Sequence, residues 1–243
     1  MAGSALPCTV VICCSLPAGI DADETAALLD AARRAEVPVT WLTAHDALPF
    51  VSDELGRKGL PGGVALDIPA RCPRTAAREL LARARRVVPT LDAAAVRGPL
   101  EAACRQELAG SGVRIICRDG LDGPARGSRR PAPAGWRCHS PVWGMWEVVR
   151  SEEPFPPGRV GRILGLGAAA TLRAGGLTVV DVGHGIPAGS AAAAIRARLG
   201  RWKSWAAGGW TASPASFACL SHVPDLIAGA GRAPMGGSIL RAA

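Results

Sequence analysis

The sequence predicts an α/β protein built from repeated parallel strand–helix units. Three observations carry that expectation. Short apolar runs rich in β-branched residues alternate with stretches of helical periodicity, the turns between them are two to eight residues long, and there are about seven or eight such units in 243 residues. Right-handed crossovers between parallel strands then generate either a barrel or a doubly wound sheet. With 49% hydrophobic residues the chain can bury a core.

In chain order, Thr9 to Cys14 reads as the first strand. Asp21 or Asp23 caps a helix in which Ala27, Leu28, Ala31 and Ala35 recur at helical spacing. Pro38 ends that helix near Glu36, and Val37 to Leu42 is the second strand. Ser52 to Gly59 is a short helix, and Gly63 to Asp67 the third strand. Pro73 opens a helix from Arg74 to Arg86 with Leu80 and Leu81 on its buried side. Leu91 to Val96 and Val113 to Cys117 are strands four and five, separated by a helix from Leu100 to Ala109 that Gly110 stops. Residues 118–141 turn to Gly, Pro and Arg without periodicity and read as a long loop within one domain spanning 1–229. A strand at Trp143 to Val149, a Gly-punctuated helix at Gly158 to Ala174, a strand at Leu177 to Val182, a helix at Ser190 to Trp205 and a last strand around Ser216 to Leu220 follow. Residues 230–243 read as a flexible tail.

Composition narrows the function classes. The formal net charge is +8, but the arginines lie at polar positions of helical patterns. The group Arg126, Arg129 and Arg130 has no interleaved aromatic residues for base stacking. Nucleic acid is therefore not the expected partner, and binding to polyanions is a subordinate alternative. The eight cysteines form no CxxC pair and no metal-ligand spacing, which suits free thiols in a cytoplasmic setting. No apolar segment is long enough to span a membrane. Gly165 to Ala170 fits a loose GxGxxA pattern, but no strand precedes it, and Asp181 follows too closely to meet a ribose.

Val11-Ile12-Cys13-Cys14-Ser15-Leu16-Pro17, Val39-Thr40-Trp41-Leu42, Asp67-Ile68-Pro69-Ala70-Arg71, Val96-Arg97-Gly98-Pro99 and Val182-Gly183-His184-Gly185 follow one another at strand ends. In that order they resemble the motifs of the polysaccharide deacetylase, or NodB-homology, family. The resemblance covers most of the chain and rests on pattern and order more than on identities. It implies an irregular, TIM-like (β/α) barrel of seven or eight strands, and an ancestral activity that removes acetyl groups from sugars with a metal ion.

The same resemblance places the family's catalytic base and a metal-binding aspartate on Cys14 and Ser15, and its two metal-binding histidines on Asp67 and Arg71. It likens Arg97 to an arginine that orients the catalytic aspartate, and His184 to a general acid. A thiol and a hydroxyl do not replace two carboxylates, and an arginine binds no metal. The expectation is a metal-free, cofactor-free pseudoenzyme that binds a carbohydrate or another small ligand in a pocket formed by Cys14, Ser15 and Trp41. The alternative is a hydrolase of altered chemistry with Asp67, Arg97 and His184 as catalytic residues.

Overall fold

The computed structural model describes residues 8–16, 20–119, 138–142, 144–152, 176–187, 189–207 and 215–230. The expected helix at 158–174, the GxGxxA pattern at 165–170, most of the 118–141 loop and the tail after 230 lie outside these residues.

Among the described residues, nine strands form one sheet. They are β1 (Cys8–Ser15), β2 (Val39–Thr43), β3 (Gly62–Ile68), β4 (Ala93–Val96), β5 (Ile115–Asp119), β6 (Cys138–Val142), β7 (Met145–Glu152), β8 (Leu177–Asp181) and β9 (Ala215–Ala218). Seven of them close a parallel barrel in the order β1-β2-β3-β4-β5-β7-β8 and back to β1. The closing seam is shared: β9 runs beside the first half of β1, from Cys8 to Val11, and β2 beside the second half, from Ile12 to Ser15. β6 is antiparallel to β7 and stands off the barrel path.

The helices α1 (Ala22–Ala35), α2 (Leu48–Lys58), α3 (Arg74–Val87), α4 (Ala102–Gly110) and α5 (Ala191–Ala207) follow strands, and the short α6 (Val223–Ala230) follows β9 and a 3-10 turn at Leu220–His222. Asp21 caps α1 by accepting the Glu24 N–H at 2.7 Å. Glu36 closes α1 in the left-handed region, and Gly59 closes α2 in the same way. Glu24 of α1 also accepts the Gly189 N–H at 2.5 Å, so one carboxylate steadies the entry to α5.

Three buried clusters fill the structure. Val11, Cys13, Leu42, Ala65, Ala95, Cys117 and Val148 pack with one another in the barrel interior. The opposite faces of β1, β2 and β8 pack on α1 and α5, and those of β3 to β5 pack on α2, α3 and α4. Leu220, Val223 and Ile227 plug the end of the barrel where the strands begin. Arg114 holds α6 there through Asp225 at 2.5 Å. A cavity of about 410 Å³ remains at that end, lined among others by Gly63, Thr90, Asp92, Arg114 and His222.

Several boundaries differ from expectation. β1, β2, β3 and β5 run one or two residues past their apolar runs, because ladder pairing continues through Ser15, Thr43, Ile68 and Asp119. Residues 118–141 are not all loop: Arg118 and Asp119 end β5, and Cys138 to Pro141 belong to β6. α2 begins at Leu48, four residues before the expected Ser52, because Pro49 fits a helix's first turn, where its missing N–H is not needed. The last strand stops at Ala218, and α6 was not foreseen.

Candidate functional site

Residues paired across parallel strands share a face, and alternate residues point to opposite faces. Cys13 pairs with Asp181, Ser15 with Leu42, Ala95 with both Asp67 and Cys117, and Asp119 with Arg150. Cys13, Leu42, Ala95 and Cys117 lie in the interior cluster. Ser15, Asp67, Asp119, Arg150 and Asp181 therefore turn inward at the ends of β1, β3, β5, β7 and β8. Arg97, one residue beyond β4, joins them.

The deepest part of this ring is a closed polar network. Asp181 Oδ1 accepts N–H bonds from Ser15 at 3.0 Å and from Gly183 at 2.9 Å. Its Oδ2 accepts the Ser15 hydroxyl at 2.5 Å and faces Arg150 Nη1 at 3.3 Å. Four donors use the acceptor sites a carboxylate offers. Arg150, with its side chain 2% exposed, also pairs through Nε with Asp119. Burial works against the charge on Arg150, but its hydrogen bond to Asp119 and the neighbouring Cys117 and Asp181 raise it above the ordinary guanidinium value.

Nearer the mouth, Arg97 Nη2 lies 3.1 Å from Asp67 Oδ2. Arg97 is 52% exposed, so its remaining donors are open to solvent. Asp67 Oδ1 is buried with no hydrogen-bond partner. Burial lifts the Asp67 carboxyl above its usual value and Asp181 adds to this, while the charges on Arg97 and Arg150 oppose it. The Arg97 turn is braced from below by Arg118, which donates to the Gly98 carbonyl at 3.2 Å.

The structure thus brings Asp67, Arg97 and Ser15 to one end of the barrel. It does not bring Cys14 or Trp41 there. Both point outward, buried among Leu28, Leu29 and Trp202 in the helix-facing cluster, because they alternate with inward-facing neighbours. The expected pocket of Cys14, Ser15 and Trp41 is therefore corrected to Ser15 alone. Burial raises the Cys14 thiol well above its usual value, which leaves it protonated rather than a nucleophilic thiolate. His184 is exposed on the turn after β8, and Arg198 from α5 fixes this turn by donating to the Val182 and His184 carbonyls at 2.8 and 3.2 Å.

Sequence reasoning missed Asp119, Arg150 and Asp181. Their signal was present: each is a charged residue closing an apolar strand run, in Ile116-Cys117-Arg118-Asp119, Val148-Val149-Arg150 and Val179-Val180-Asp181.

The donor set does not fit a metal ion. The Ser15 hydroxyl is spent on Asp181, Asp181 is saturated, Asp67 is paired with Arg97, and Arg71 is itself a cation. Among the described residues no group of three or more His, Cys, Asp or Glu side chains is placed to hold a metal.

No protein-family model matches the chain, and no curated protein matches it. Among solved structures, it is similar to a protein assigned to the polysaccharide deacetylases from Mycobacterium smegmatis, at 13% identity and a TM-score of 0.57 over 100% of this chain and 97% of that one. It is also similar to the peptidoglycan deacetylase PdaC from Bacillus subtilis, at 10% identity and a TM-score of 0.47 over 95% of each chain. A family 4 carbohydrate esterase from Streptomyces lividans follows, at 13% identity and a TM-score of 0.42 over 86% of this chain and 92% of that one. The first of these likenesses identifies the fold: a closed parallel seven-stranded barrel with surrounding helices, of the polysaccharide deacetylase type.

Proposed function

We propose that this chain is a metal-independent relative of the deacetylase barrels that binds a carbohydrate or another small polar ligand at the strand-end face without turning it over. The observation that carries the reading is the pairing of the ring. Asp119 and Asp181 are held by Arg150, and Asp67 by Arg97, so no pair of open carboxylates is left to serve as base and ligand. The half-exposed Arg97 and the exposed His184 supply donors at the mouth for hydroxyl and carbonyl oxygens. The name of the Mycobacterium smegmatis structure that shares the fold, a polysaccharide deacetylase, supports a sugar as the ligand. Eight free, buried cysteines support a reducing, cytoplasmic setting, and among the described residues no helix is long and apolar enough to cross a membrane.

Calorimetric titration with N-acetylglucosamine oligomers and their deacetylated counterparts, run beside an acetate-release assay, tests this reading. Saturable binding without acetate release is expected. An absence of binding across both ligand sets overturns it. The second reading, a hydrolase using Asp67, Arg97 and His184, draws on the Asp67 carboxyl, whose burial shifts it toward holding a proton. Acetate release that His184→Ala abolishes, with thermal stability unchanged, establishes that reading instead.

A further inference from the structure

Carboxylates gathered at one end of a barrel need a cation, and here the chain provides its own. Asp119 and Asp181 approach Arg150 from β5 and β8, and the Ser15 hydroxyl lies 3.5 Å from Arg150 Nη1. The two carboxylates carry hard oxygens, the type that magnesium, manganese and calcium take, while the Ser15 hydroxyl is committed to Asp181. Beneath them the barrel is closed by the buried Cys13 and Cys117. With Arg150 in place, two negative charges face one guanidinium, and the space between the carboxylates is filled.

We infer that the Arg150 guanidinium is the resident cation of the strand-end ring, holding the place of a divalent metal ion, so that the ring accepts such an ion only when the guanidinium is removed. Truncating Arg150 frees the Asp119 and Asp181 oxygens that it holds, leaving charge that a divalent ion cancels in full. This reading rests on the metal independence proposed above but not on the identity of any ligand at the mouth. Binding or refusal of a sugar there leaves the ring's response to cations unchanged.

The test compares the full-length wild type with Arg150→Met and Arg150→Lys near neutral pH. Thermal melting is followed in chelator, in millimolar manganese chloride, and in sodium chloride of equal ionic strength. Bound manganese is counted by electron paramagnetic resonance. The wild type and Arg150→Lys are expected to ignore manganese. Arg150→Met is expected to melt lower in chelator and to climb with the logarithm of manganese concentration, as mass action requires. It should hold one ion per chain at least about tenfold more tightly than the wild type. If Arg150→Met does not fold in chelator, refolding in manganese but not in sodium chloride gives the same answer. Four results each overturn the inference: a folded Arg150→Met that ignores manganese, failure to fold in either salt, equal rescue by sodium chloride, or manganese binding as tight in the wild type.

Discussion

A methyl group on Gly183 would lie 2.2 Å from the Ser15 carbonyl oxygen and 2.7 Å from its nitrogen, so the chain leaving β8 can cross the end of β1 only without a side chain. That crossing brings the Gly183 N–H onto Asp181. Gly183→Ala should therefore lower stability by about 3 kcal/mol, measured by chemical denaturation, and loosen the Ser15–Asp181 network. At Asp67 the prediction concerns protons. Its folded carboxyl sits above the ordinary value of 3.8, chiefly through burial. The folded state thus binds the extra proton, and the stability linked to this group is present below 3.8 and lost as pH rises through the folded value. Arg97→Ala removes an opposing charge, so the Asp67 titration followed by carboxyl NMR should move further upward. A midpoint that stays in place or falls would show that Arg97 does not govern this carboxylate.

β6 is held by charge as well as by its ladder to β7. Glu147, with its side chain 1% exposed, meets Arg105 at 2.6 Å, and Arg118 and His139 at 3.3 Å each. Burial by itself would raise the Glu147 carboxyl, but the hydrogen bond from His139 and the arginine charges bring it down to about 2. Its contribution to stability is present above the ordinary 4.5 and is lost as pH falls toward about 2. Glu147→Gln should cost about 3 kcal/mol near neutral pH, with a smaller penalty in acid, as unfolding free energies across pH would show. The same elements mark how far the sequence was legible. Helices α1 and α3 were readable because a cap and a proline announce their starts and apolar spacing their buried faces. Except for β6, which fell within the expected loop, the strands were readable as apolar runs, but the last residues of β1, β2, β3, β5 and β7 were not. Ser15, Asp119 and Asp181 are polar, and only barrel closure makes a polar residue at that register point inward. Cys14 and Trp41 were misplaced for the same reason, since one residue of register separates the pocket from the helix layer.

At the scale of the whole molecule, the expected order of elements at the strand ends matched a barrel that the sequence by itself could not distinguish from an open sheet. Nothing in the linear pattern shows that β1 is bordered by β2 and β8 at once, or that β9 fills the lower half of the seam. Once closed, the barrel divides its ends by chemistry. The end where the strands begin is plugged by α6 through Arg114 and Asp225, while the end where they finish carries a ring whose carboxylates are paired with arginine. Substitutions at the plugged end should therefore change stability, and those at the exposed mouth, at Arg97 and His184, should change recognition. The claim that organises this account is that the ring needs no metal. Calorimetric titration of zinc into chelator-treated wild-type protein tests it most directly. The account predicts no saturable heat at one ion per chain; a stoichiometric isotherm that Asp67→Asn or Asp181→Asn abolishes would contradict it.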